Sequence, residues 1–352
     1  MIHEFAHFLR PTRLRTVAVA LLGVLLSAAC DNSTDPVAST EPIDTPAAVT
    51  EDSAVALAGN PAFATVSYSG TPFGPIDLWG SYTDVKWGPS PFTGTQNYTD
   101  AFGVITQINA ARTKHQRLIL SMTGGPSTRY TTGGKFDMTK WKNRMNTYNT
   151  SAIKSAVAAA VSDGTVIGNQ MIDEPETVRW GGNITKATLD AMATYGKRMF
   201  PTLPMGVNHG PPSYKWRSTE RFHVVDYVLY QYNWWVTTGD IGAWRSAVLD
   251  QAKMDGVTPM FSINVLDGGV QDRGGDYSCT GAGQAGKGTY YPNCRMTPTQ
   301  VVDFGRALVT GGCFLMMWEY DESYMSDAGN QAAFRELASL AASQPRRSCA
   351  RP

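Results

Sequence analysis

Short apolar runs recur along this chain, each ending in glycine, polar or acidic residues, and between them the apolar positions spread to a helical period. Seven runs, at 63–69, 117–122, 165–172, 205–208, 226–232, 259–265 and 313–319, have the length and composition of buried strands. In the gaps, Ile153, Val157 and Val161 share one helical face, as do Ile241, Trp244 and Val248, and again Val301, Phe304 and Leu308. Start and stop signals agree with that periodicity. Thr297-Pro298 reads as a cap and first turn, Asp240 as another cap, and Gly164, Gly256 and Gly311 fall just past helix ends. Strand and helix in alternation specify an α/β fold with a parallel sheet.

Residues 61–352 have the size of a single (β/α)8 TIM barrel. Seven strands are one short of closure, and 76–85 is expected to supply the second strand despite its poor period and the short connection before it. A doubly wound open sheet is the alternative. With the eighth strand included, the run ending Asp173-Glu174-Pro175 is the fourth, and those ending near Asn208, Tyr232, Asp267 and Trp318 are the fifth to eighth.

The first sixty residues lie outside that frame. Arg10, Arg13 and Arg15 precede the apolar stretch 17–26, too short for a stable span, which reads as a signal peptide over 1–29. Its ending, Ser27-Ala28-Ala29-Cys30, resembles a bacterial lipobox, which implies lipidation of Cys30 and a membrane anchor; cleavage after Ala29 without lipid would give a secreted protein. Residues 30–60, rich in Ser, Thr, Pro, Ala and acids, cannot bury enough to fold and read as a tether. Four further cysteines are an even number in an exported chain, and Cys279 with Cys294 and Cys313 with Cys349 is the expected pairing.

Thirty basic and thirty acidic side chains leave the chain neutral, with no basic patch, so nucleic acid is not an expected partner. There is no GxSxG elbow, Walker loop or HExxH, and neither cofactor nor metal is expected. Asp272 and Asp276 lack a calcium-loop spacing, and Gly124-Gly125-Pro126 reads as a close-approach turn at a barrel mouth rather than a dinucleotide site.

The chemistry concentrates at strand ends. Glu174 follows a buried approach, which raises a carboxyl pKa as a general acid near neutral pH requires, and the proline after it stops strand pairing. A strand pleat continued through the motif would turn Asp173 to the other face, as a loop-bonding partner. Two acids compete as the second carboxylate: Glu319, straight off the buried run 314–317 beside Trp318, and Asp267 in Val265-Leu266-Asp267-Gly268-Gly269. Tyr230, Tyr232 and Trp234, with Trp235, offer rings on which sugar CH faces stack, although at least two of these aromatics are expected to fill the space between barrel and helices instead; Asn208 and His209 end the fifth strand.

On these residues the chain resembles the large clan of retaining TIM-barrel glycoside hydrolases, whose fourth strand ends Asn-Glu-Pro with the Glu as acid/base. The resemblance implies Glu174 in that role, Asn208 and His209 after strand five, Tyr230 or Tyr232 on strand six and Trp318 ending strand eight as substrate contacts. The chain departs from the pattern at Asp173, where the clan has Asn, and at Asp267, where it has Glu. The expectation is an exported glycoside hydrolase acting on a polysaccharide. The alternative is a surface carbohydrate-binding protein that kept the barrel and lost catalysis.

Overall fold

A computed structural model describes residues 68–78, 85, 88–182, 184–209, 221–233, 240–271, 278–290 and 293–352, all inside the compact unit Pro61–Pro352. Eight parallel strands make one sheet: β1 Phe73–Pro75, β2 Gly94–Tyr98, β3 Arg117–Ser121, β4 Val166–Asp173, β5 Met205–His209, β6 Tyr227–Tyr232, β7 Thr258–Asn264 and β8 Leu315–Trp318. Their order is β1-β8-β7-β6-β5-β4-β3-β2, and the two ends meet. Ile76 bridges Gln96, Asp77 N donates to Gln96 O at 2.8 Å, and Thr93 N donates to Phe73 O at 2.9 Å. The sheet is thereby a (β/α)8 barrel.

The helices α1 Val104–Thr113, α2 Met138–Asn146, α3 Ser151–Ser162, α4 Lys186–Met199, α5 Ile241–Asp255, α6 Pro298–Leu308, α7 Glu322–Met325 and α8 Ala328–Ala342 surround it. Asp240 caps α5 by accepting from Ala243 N, and Thr297 caps α6 in a reciprocal box with Gln300. Each cap satisfies amides that the helix leaves unpaired, stabilising it by about 1 kcal/mol.

Alternation along the strands divides the core in two. Ile119, Tyr227, Leu229, Met260, Phe314 and Met316 fill the barrel, while Leu118, Leu120, Val228, Phe261, Leu315 and Met317 pack outward against the helices. Gly206 admits the Tyr227 ring: a Cβ there would lie 2.1 Å from it.

The first two strands fall elsewhere than the apolar pattern predicts. Of the expected first strand, 63–67 lies outside the described residues, Tyr68 and Ser69 are not in a strand, and β1 comes later. Of 76–85, positions 79–84 lie outside the described residues, and β2 is instead Gly-Thr-Gln-Asn-Tyr. That strand is buried yet polar, so hydropathy does not mark it; Thr95 Oγ1 donates to Pro75 O at 2.8 Å, and Gln96 Nε2 donates to Gln170 Oε1 on β4. The strand count is unchanged and the Asp-Glu-Pro strand is the fourth.

Two disulfides are formed, Cys279–Cys294 and Cys313–Cys349, with Cα atoms 5.6 and 5.2 Å apart. The second joins the chain's last residues to the approach to β8, where Arg351 donates to Phe222 O at 2.6 Å and Val225 O at 3.2 Å.

Candidate active site

The site is shaped by an irregularity in β4. Asn169 pairs with Met205 and Gln170 with Gly206, but the next pair is Asp173 with Asn208, so β4 spends one residue more than β5 over that span. Such a bulge exchanges the faces of the residues beyond it. Side chains hold it in place: the Met171 carbonyl accepts from Thr123 Oγ1 at 2.6 Å and from Trp141 Nε1 at 3.1 Å. Unbroken pleating would send Gln170, Ile172 and Glu174 inward; instead Asp173 joins Gln170 and Ile172 in lining a cavity of about 300 Å³ at the barrel mouth.

Glu174 follows at φ +40°, a left-handed conformation costing a non-glycine residue about 1–2 kcal/mol, and it lies beside the cavity wall rather than in it. Arg179, on the short turn Val178–Trp180, spans both acids. Its Nη1 is 3.1 Å from Asp173 Oδ2 and its Nη2 pairs with Glu174 Oε2. Asn208 Nδ2 donates to Asp173 Oδ1, and Trp180 Nε1 donates to the Asp173 carbonyl at 2.9 Å. Burial raises the Asp173 carboxyl above the ordinary range against the pull of Arg179. Glu174 is raised as well, by burial first and the Asp173 charge second. Water still reaches 47% of the Asp173 side chain and 37% of that of Glu174, so solvent screens these charges in part.

Two more acids line the same cavity. Asp77, just beyond β1 at φ +55°, is raised by burial and by the Asp173 charge, with the Tyr98 amide opposing. Glu319, reached through a cis peptide from Trp318, is raised by burial and then by Asp77, Asp321 and Asp267. Among the described residues no cation opposes that rise. Carboxylates crowded into one partly dry space hold protons to higher pH than isolated ones. Trp318 forms the aromatic wall, and the exposed ring of Tyr290 stacks on it at 5.8 Å and 26°.

Asp267 is built into a different place. It is 1% exposed and outside the cavity wall; its amide donates to Asn264 Oδ1 at 2.8 Å and its Oδ1 accepts from Tyr290 N at 2.7 Å. Burial raises its carboxyl, against the opposing hydrogen bonds from the Tyr290 and Thr289 amides. A Cβ on Gly288 would lie 2.4 Å from Oδ1, so glycine lets the loop close over the acid. Asp267 thus anchors the disulfide-closed loop that carries Tyr290.

Asp173, Asn208, Trp318 and Glu319 therefore come together, while Tyr230 and Tyr232 do not. Both tyrosines have outward parity on β6, and Tyr232 packs on Trp244 at 5.4 Å and Phe304 at 4.9 Å, between barrel and helices. His209 ends β5 with its side chain outside the described residues, and Trp234, Trp235 and Cys30 also lie outside them. Sequence reasoning missed Asp77, Tyr98, Arg179, Trp180 and Tyr290. Of these only Asp77 carried a signal, a lone acid between Ile76 and Leu78. Among the described residues no group of three or more His, Cys, Asp or Glu is placed to hold a metal ion, and no helix is long and apolar enough to cross a membrane.

No family model and no curated protein matches the chain. Solved structures similar to it include an endo-β-1,4-mannanase from Thermotoga petrophila, at 10% identity and TM-score 0.45 over 79% of this chain and 78% of that one. A GH18 chitinase from Flavobacterium johnsoniae overlaps at 10% and 0.45 over 77% and 94%. The xylanase 10B of Thermotoga maritima overlaps at 11% and 0.41 over 79% and 97%. Overlaps this loose say nothing about what the chain acts on; the barrel stands on its own strand pairing.

Proposed function

We propose that the protein is an exported glycoside hydrolase cleaving O-glycosidic bonds in a polysaccharide. The observation that carries this is the shared cavity of Asp173 and Glu319, both with raised carboxyl pKa, beside the stacked Trp318 and Tyr290 rings. Glycosidic cleavage needs one carboxylic acid to protonate the leaving oxygen and one carboxylate to attack the anomeric carbon or activate water. Glu319, whose carboxyl is raised by burial and by the neighbouring acids Asp77, Asp321 and Asp267, is suited to hold the proton. Asp173 accepts from Arg179 and Asn208, bonds that favour its ionised form, and suits the second role. Glu174 shares Arg179 with Asp173 and is the further candidate for the acid/base. A signal peptide over 1–29, lipid on Cys30 and a tether over 30–60 would hold the enzyme at the cell envelope, and the two disulfides are consistent with export.

The test is release of reducing ends from a panel of plant, fungal and bacterial polysaccharides by the wild type beside Glu319→Gln, Asp173→Asn and Glu174→Gln. Release by the wild type, with loss in the first two, is expected; a panel substrate hydrolysed at full rate by Glu319→Gln would remove the assignment. One observation favours a second reading, a surface carbohydrate-binding protein without catalysis: Arg179 ion-pairs both Asp173, at the end of β4, and Glu174 after it, which opposes proton donation from either. Glycan binding without release selects it.

A further inference from the structure

Beside the catalytic cavity, on the side of β2, α2 and α3, lies a larger pocket of about 910 Å³ whose walls include Tyr98, Phe102, Arg129, Lys140 and Arg144. Tyr98 belongs to both spaces. The Gly124-Gly125 turn lines the cavity next to Tyr98 and is bare of side chains: a Cβ on Gly124 would lie 2.8 Å from the Tyr98 ring, and Gly125 sits at φ +95°, a conformation that favours glycine. An extended glycan leaving the cavity past this turn and the Tyr98 ring would reach the arginines.

We propose that this pocket is a subsite for a carboxylated sugar, which makes the substrate an anionic, hexuronate-bearing polysaccharide; this rests on the glycosidase reading above. Three cations line the pocket against one acid, Asp100, whose Oδ1 is occupied by the Gly103 amide at 2.6 Å. Arg129 Nη1 donates to Tyr98 Oη at 2.8 Å and Arg144 Nη2 to the same oxygen at 2.9 Å, with the two guanidinium carbons 5.9 and 5.8 Å from that ring's centre. Arg144 is further tied to the carbonyls of Met122 and Thr99, at 3.2 Å each, whereas Arg129 is exposed and bonds through Nη1 alone to Tyr98. Among the described residues no carboxylate forms an ion pair with Arg129, Lys140 or Arg144. The fork of Arg129 is left to meet a planar carboxylate, the geometry in which arginine binds most strongly. Phe102, 98% exposed at the pocket's wall, offers a face for the sugar's CH groups. Charge also sets the register. The catalytic cavity holds three acids, Asp77, Asp173 and Glu319, against one cation, Arg179, and disfavours a carboxylated unit, while the neighbouring pocket holds three cations against one acid and attracts one.

Calorimetry on the Glu319→Gln protein at low salt tests this, with short oligogalacturonates and oligomannuronates each beside its carboxyl-reduced counterpart. At least one acidic series is expected to bind about tenfold tighter than its reduced form, as one charge-assisted contact provides. Arg129→Gln and Lys140→Gln, both at exposed positions, are each expected to remove much of that preference. Equal affinity for acidic and reduced forms, preference for a sulfated oligosaccharide over both uronates, or a preference untouched by Arg129→Gln would overturn the subsite. Reducing-end release by the wild type separates the two ideas: hydrolysis of a neutral glycan without uronate preference sinks the subsite alone, and selective uronate binding without hydrolysis of any glycan sinks the glycosidase alone.

Discussion

Asp267 and Glu319 end adjacent strand runs, follow apolar sequence of the same kind and both have carboxyls raised by burial, yet they occupy opposite kinds of site. Glu319 opens onto a cavity among other acids, while Asp267 is covered by the loop it anchors through the Tyr290 amide. A raised pKa at a strand end therefore identifies a buried acid, and what lies over the acid decides whether it meets a substrate. The difference between them lies in the connection after each strand. Gly288 and Tyr290 lie back against Asp267, whereas Glu319 passes within three residues into α7 and opens onto the cavity.

Isosteric amides give the sharpest break between the two. Glu319→Gln keeps shape and removes the proton, so kcat is expected to fall about 10³-fold, while Asp267→Asn keeps an acceptor for Tyr290 N and most of the activity. Equal losses in the two variants would erase the distinction. Removing the acceptor is the next largest effect: Asp267→Ala leaves a buried amide unpaired at about 1–3 kcal/mol, read as a fall in Tm of several degrees with the rise in KM that a displaced Tyr290 brings. Tyr290→Ala is expected to raise KM about fivefold at unchanged Tm, as loss of one stacking face implies; an unchanged KM would detach Tyr290 from substrate. The smallest effect is in pH. A carboxyl raised by folding costs stability as pH climbs above its unfolded value, so Glu319→Gln should be more heat-stable than wild type at pH 7, by about 2 °C, and no different at pH 3.5. A gain that persists in acid would mean that burial of the charge is not its source.

Strands β3 to β8 were legible because each is an apolar run with a polar end, and the caps Asp240 and Thr297 lay where the sequence put them. The first two strands were not, since β1 is three residues and β2 buries Thr95, Gln96 and Asn97 by hydrogen bonding rather than hydropathy. Alternation alone left two things undecided: it gives the two faces of a strand but not which one points inward, and it does not reveal a bulge. On β6 the inward set is Tyr227 and Leu229, leaving Tyr230 and Tyr232 outside. On β4 the bulge at Met171 brings Asp173 to the face that unbroken pleating would give to Glu174, and no residue type announces a bulge that distant Thr123 and Trp141 hold. Asp77 and Tyr290 needed the closed barrel to bring them to the cavity.

The closure itself is uneven. Where β6 and β7 pair over six residues, the joint between the first two strands has, among the described residues, one bridge, Ile76 with Gln96, and two further backbone bonds, Asp77 N to Gln96 O and Thr93 N to Phe73 O. A hoop yields at its thinnest joint, because opening there breaks the fewest bonds. That joint carries Asp77 on one lip and Tyr98 just past the other, so the sector of the ring with the fewest bonds among the described residues is also the sector between the acids and the arginines.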